Sequence, residues 1–242
     1  MHLPRPLPYL RAAFWLLLAA GSAAIAYGSL VYFGDDLAPF VLEKLQLPLP
    51  LEDVWMLALK VHVVAAAFSL PACLLLSTRL VIKRAPRLHR WLGRVAGVVI
   101  LFGLVPSGLY MSLFAKGGLP STLGFALSGV VVAVGMVQGV RTARARRFVE
   151  HRRWVLHVLG QLSVAVISRA MLFAFDAAGV EEELAYTVSL WLPVVGSLVL
   201  VELVCRRRRP SLATWRNKTH EALLDPRSLR LRPDAARVAR GG

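Results

Sequence analysis

Cysteine is almost missing from this chain: Cys73 and Cys205 are the only two in 242 residues. That excludes a disulfide framework, and the pair also lies toward the side read below as cytoplasmic and reducing. Acidic residues are scarce as well, with 14 Asp and Glu against 29 Lys and Arg, and charged residues make up only 18% of the chain. At 57% apolar, the chain has too little polar surface to cover a soluble domain of its length. No catalytic triad, P-loop, HExxH or CxxC arrangement is present. Hydrolysis or phosphoryl transfer built on such motifs is therefore excluded, and any activity is expected to be membrane electron transfer.

What the chain does have is long apolar runs. Six are long enough to cross a bilayer: Ala12–Phe33, Val54–Ser77, Val95–Phe114, Thr122–Val140, Trp154–Phe175 and Ala185–Val204. About 20 residues rising about 1.5 Å each span a hydrocarbon core of about 30 Å. The first run follows Arg5 and Arg11 as in a signal peptide, but it is longer than a signal h-region and reads as a retained helix. Between the runs the charges alternate. The N-terminal segment, the connections after helices two and four, and the C-terminal tail hold 25 of the 29 basic residues; the other three connections hold 9 of the 14 acids. Basic residues stay on the cytoplasmic side, so both termini are expected inside, in a bacterial inner membrane. The fold class is all-α: a polytopic membrane protein of six helices, with helices two to five as the core bundle.

The expected domains are a six-helix membrane domain, residues 1–205, and a basic, disordered or membrane-surface tail, 206–242. The +15 net charge is spread over loops and tail instead of one folded face. It points to an anionic cytoplasmic leaflet, not nucleic acid, with a membrane-protein partner as a further expectation. The connection 34–53, with Pro39, Pro48 and Pro50, is expected to form an extended or briefly helical cap without a metal loop. The turn from Lys116 to Ser121 is short enough to make helices three and four an antiparallel hairpin.

Small residues at helical spacing, Gly135 with Gly139 and Gly124 with Ser128, mark close backbone approach, as does Gly21 with Gly28. Pro71, Pro106 and Pro193 each free a carbonyl, which Ser69 and Ser107 are placed to satisfy.

Residues able to carry chemistry are few: His62, His89, His151, His157, Gln161 and Arg169. His62 lies about 12 Å from the outer end of helix two, with Ser69 and Cys73 on nearly the same face. It is either a helix–helix hydrogen bond or a ligand and proton-transfer group, because ionisable residues at membrane depth are costly and usually functional. Arg169 lies two turns inside helix five, at matching depth, and either snorkels to the outer headgroups or meets an anionic group. The two are expected to face a shared interior cavity. At the cytoplasmic side, His89-Arg90-Trp91-Leu92-Gly93-Arg94 opens helix three and His151-Arg152-Arg153-Trp154 opens helix five. This echo makes helices two–three and four–five candidate parallel repeats. Basic and aromatic residues also anchor any cytoplasmic helix start, so both readings stand. Eighteen residues make five turns, so His151 and Arg169 share one line of helix five, whereas His157 points about 120° away with Gln161 and Ser168 near its face.

This order of His62, His89-Arg90 with Gly93, His151-Arg152 with Trp154, and Arg169 is similar to a bacterial family of predicted membrane proteins, domain of unknown function 2306. The resemblance spans roughly 57–175. Where relatives tend to have Met and Arg, this chain has Val155 and His157.

A looser resemblance is to four-helix b-type cytochromes, which hold haem between histidines of facing helices. It implies haem b, with iron held by His89 and by His151 or His157, and with Arg90, Arg94, Arg152 or Arg153 at the propionates. Helix four has no histidine, so His62 lacks a haem partner and one haem at most is implied. Two functional readings follow. One is a protein binding haem b or a quinone through His62, His89, His151, His157, Arg90, Arg152 and Arg169. The other is a non-enzymatic assembly or accessory factor in which the same residues only anchor and pack. A transporter is a weaker third, for want of a broken helix pair.

Overall fold

The computed structural model describes residues 7–34, 39–45 and 52–207; the others, including most of the basic tail, lie outside the described residues. Those described are helical and include no strand. The helices are α1 (Leu7–Gly28), α2 (Pro39–Leu45), α3 (Glu52–Leu76), α4 (Arg79–Arg84), α5 (Pro86–Val98), a π-helical stretch (Val99–Leu104), α6 (Val105–Ser112), α7 (Gly118–Arg144), α8 (Phe148–Ala177) and α9 (Glu182–Arg207). Six spans in this set are long and apolar enough to cross a membrane, with α5, the π stretch and α6 forming one continuous span, Pro86–Ser112.

The helices begin earlier than their apolar runs do. The third span starts at Pro86 and the fifth at Phe148, before the expected starts at 95 and 154. Proline is well suited to the first position of a helix, where the missing N–H has no partner to lose. The basic phrases therefore form the first turns of α5 and α8 instead of connecting loops. His89 and His151 are each the fourth residue of their helix. Their backbone N–H groups bond to Ala85 and Arg147, each the residue just before the helix.

Spans two to five pack as a four-sided bundle. α3 lies against the π stretch and α6, α6 against α7, α7 against α8, and α8 against α3. The third and fifth spans consequently stand across a diagonal. Ala65, Leu70 and Cys73 of α3, Ile100 and Leu104, Val132 and Met136 of α7, and Val158 and Leu159 of α8 fill the centre. Leu18 brings α1 onto this core, and Leu190 and Val194 bring α9 onto Val164 of α8.

Glycine sets how closely the sides approach. A Cβ on Gly135 would stand 2.9 Å from Val158 Cγ2 and 3.3 Å from the Trp154 carbonyl oxygen, so α7 and α8 meet nearly backbone to backbone. A Cβ on Gly21 would collide with Val166, which seats α1 on α8. At the end of the bundle opposite His89 and His151, α2 forms a short helical cap. Val41 packs with Trp55 and Leu59 there, and buried Lys44 donates to the Phe114 carbonyl at 2.7 Å. That carbonyl follows the last turn of α6, where the helix runs out of intrahelical donors.

Candidate functional site

Two clusters of polar side chains form within the bundle, one toward each end.

The first lies at the end carrying Lys83, Arg84, Arg87, Arg90, Arg144 and Arg147, here called the basic end. His151 Nδ1 is 2.8 Å from the carbonyl oxygen of Gly139 on α7. A carbonyl only accepts, so Nδ1 carries the hydrogen and the Nε2 of the neutral ring keeps its lone pair, on the side of the ring away from Gly139. A Cβ on Gly139 would stand 4.0 Å from the imidazole nitrogen, an ordinary contact. The same carbonyl accepts from Thr142 Oγ1 at 3.1 Å. From the diagonal helix, His89 lies against the backbone carbonyl of Leu76. Its Nδ1 is buried and makes no hydrogen bond. His89 and His151 thus both lie at the basic end, on diagonal spans.

Arg90 and Arg152 are exposed beside them at the same end, as is Arg94, while Arg153 stacks over the Trp154 ring at 5.8 Å. His157 is placed elsewhere. It is buried, its ring 6.1 Å from that of Trp154, and it borders a groove of about 220 Å³ between α7, α8 and α9 lined by Val130, Val134 and Leu198. That places it outside the four-sided core, on a different side from His151. Gln161 shares the α9 side: its Nε2 donates to the Val194 carbonyl at 3.0 Å and to Ser197 Oγ at 2.9 Å, one residue beyond Pro193. Gln161 is therefore a link between helices.

The second cluster is nearer the other end. His62 Nδ1 is 3.3 Å from Ser107 Oγ, and Ser107 donates its own proton to the Gly103 carbonyl at 2.6 Å. With that proton committed, the hydroxyl accepts from His62, so Nδ1–H is the donor and Nε2 again keeps its lone pair. The ring rests on Gly108, where a Cβ would stand 3.0 Å from His62 Cε1. Pro106 explains the local backbone. Lacking an N–H and crowding the turn before it, it follows a π-helical stretch, a wider turn that often marks functional sites. Ser107 bonds the Gly103 carbonyl, four residues before itself, and not the Phe102 carbonyl that Pro106 frees. Ser69 does not satisfy a freed carbonyl either: its hydroxyl is fully buried and has no hydrogen-bond partner among the described residues. Ser69 and Cys73 are both buried on the packed side of α3.

Arg169 acts electrostatically on His62 and on Tyr186 of α9. Its Nη1 donates to the Ala165 carbonyl at 2.9 Å, one turn back. The guanidinium is therefore folded toward the middle of the bundle and does not reach for the nearer end of α8, as a snorkelling arginine would. The side chain is nevertheless exposed, so no closed cavity encloses it.

Among the described residues no group of three or more His, Cys, Asp or Glu could hold a metal ion. Sequence reading missed Lys60, exposed on α3 two residues before His62, and it missed the pairing of Gly139 with His151. For the latter the signal was available, since Gly139 marks a close approach and His151 opens the helix it approaches. No curated protein and no solved structure matches the chain. The family model of predicted membrane proteins designated DUF2306 matches residues 59–205, more than half the chain and both clusters, and the protein belongs to that family.

Proposed function

We propose that this membrane protein holds one haem b at its basic end, between His89 and His151. The observation that carries the reading is a histidine at the basic end of each of two diagonal spans, His151 with Nδ1–H tied to a backbone carbonyl and His89 with a buried Nδ1 that has no hydrogen-bond partner among the described residues. Tying Nδ1 to a carbonyl fixes tautomer and ring orientation, the usual support of a metal-ligating histidine. Arg90 and Arg152 would meet the propionates, since both are exposed at the same end. Haem would supply one-electron chemistry there. By the charge distribution this end of the bundle faces the cytoplasm of a bacterial inner membrane. An anionic leaflet is the partner that suits so basic a face.

The test is the dithionite-reduced minus oxidised spectrum of detergent-purified protein expressed with a haem precursor. A b-type Soret and α band is expected, lost in His89→Ala and in His151→Ala but kept in His157→Gln. Folded wild type without haem by pyridine haemochromogen assay would rule the proposal out. The same His151–Gly139 bond supports a second reading, an accessory factor in which His151 staples α7 to α8. That reading expects His151→Ala to lower thermal stability in a protein that never binds a cofactor.

A further inference from the structure

The cluster around His62 and Arg169 lies far from the basic end. Counted along the helices, His62 is about 15 Å and Arg169 about 12 Å from the ends of α3 and α8 that point away from His89, so the two are level within one turn. Arg169 also shares its line of α8 with Val155 and Val158, which pack on Gly139 and Gly135, and with Leu162, which packs on the core. Arg169 thus continues a face of α8 that is packed nearer the basic end, and at its own level that face is exposed.

A guanidinium in such a place keeps its charge and needs an acceptor with charge to match. Protein supplies little. One bond, to Ala165, uses one of five donors, and among the described residues Arg169 makes no ion pair. Asp176 shares the face two turns on, but the guanidinium bends the other way. At the same level on α3, which packs against α8, His62 is fixed by Ser107 and Gly108 with an accepting Nε2. Five fork-shaped donors beside one neutral acceptor complement an oxyanion that carries a hydroxyl close by.

We propose that His62 and Arg169 form a binding site for an oxyanion with a neighbouring hydroxyl, Arg169 taking the charged oxygens and His62 Nε2 the hydroxyl proton. Ser107, Gly103 and Gly108 position the imidazole, and the π turn before Pro106 shapes the wall that holds them. A free small-molecule phosphate or carboxylate has this chemistry, and so does the glycerol phosphate headgroup of an anionic lipid.

The test uses full-length protein in phosphatidylcholine nanodiscs, with glycerol 3-phosphate and methyl phosphate as soluble probes read by tryptophan fluorescence. In parallel, native mass spectrometry counts phosphatidylglycerol retained from mixed nanodiscs. Saturable binding of glycerol 3-phosphate, weakened at least tenfold in Arg169→Gln, supports the site with a free solute as its ligand. One retained phosphatidylglycerol, lost in Arg169→Gln, supports it with a lipid. Whichever source applies, Arg169→Lys keeps the charge but not the fork and should bind several-fold more weakly, which serves if Arg169→Gln does not fold. For the solute, the preference over methyl phosphate should vanish in His62→Phe. Neither ligand binding to wild type, unchanged binding in both Arg169 variants, or soluble probes that bind wild type without preference for the hydroxylated one would overturn the proposal. None of these readouts depends on a cofactor at the basic end.

Discussion

His151 and Gly139 are joined by a side-chain to backbone hydrogen bond of 2.8 Å that crosses from α8 to α7. The contact couples two features that are separate in the chain: a glycine step that lets two helices close up, and a histidine that opens the second of them. It also sets the proton position on the ring, which decides what the other nitrogen can do.

A first prediction separates spacing from chemistry along this seam. Gly135→Ala places a methyl 2.9 Å from Val158 Cγ2 and 3.3 Å from a backbone oxygen, so the helices must part; overpacking of this kind costs about 1–3 kcal/mol. Gly139→Ala meets nothing nearer than Val155 Cγ1 at 3.4 Å and should be close to neutral. Thermal melts followed by fluorescence-detected size exclusion should rank wild type and Gly139→Ala together, with Gly135→Ala several degrees below. Val158→Ala should partly restore the Gly135→Ala variant.

How much of this was legible in the sequence differs by level. The six spans and the core of spans two to five follow from apolar length and charge alternation, because a bilayer imposes length and the absence of water forbids unpaired backbone. Helix starts were misplaced because α5 and α8 open with arginine and histidine, which apolar counting does not register as helix. That His89 and His151 both stand at the basic end was legible from the two phrases. The place of His157 on the α9 side was not, since it depends on α9 packing beside α8, which no periodicity reveals. Likewise Pro106 announced a distorted turn, but not that the distortion would take the form of a π stretch holding His62.

Orientation supplies the second prediction. The basic connections, 78–85 and 145–147, share one end of the bundle, and the turn near Lys116 lies at the other. A reporter fused after Gly242 should read as cytoplasmic and one inserted near Leu119 as external. The opposite assignment at either point would reverse the placement of the two clusters relative to the cell.

Lys44 gives a third. Its ammonium donates to the Phe114 carbonyl at 2.7 Å and is buried by the cap. Lys44→Met keeps the apolar stem and removes the donor, leaving that carbonyl short of a partner. Hydrogen exchange should quicken in Pro39–Leu45 and around Phe114, with the exchange of α7 and α8 unchanged.

The fourth prediction concerns Ser107, whose hydroxyl does two jobs. It donates to the Gly103 carbonyl at 2.6 Å and accepts from His62 Nδ1 at 3.3 Å. Ser107→Ala removes both, and leaving a buried acceptor unsatisfied costs about 1–3 kcal/mol. Ser107→Cys is a weaker donor of similar shape and should fall between the two. The imidazole, still seated on Gly108, would lose the partner that fixes its tautomer, so the ring nitrogens should report the change more sharply than stability does. In ¹⁵N-histidine spectra of the wild type, His62 should show one protonated and one bare nitrogen in a single tautomer. In Ser107→Ala the His62 signals should move toward the average of two tautomers, while those of His151, held by Gly139, stay where they were. If the His62 signals do not move, Ser107 does not set the imidazole's tautomer, and its role is confined to its bond to the Gly103 carbonyl.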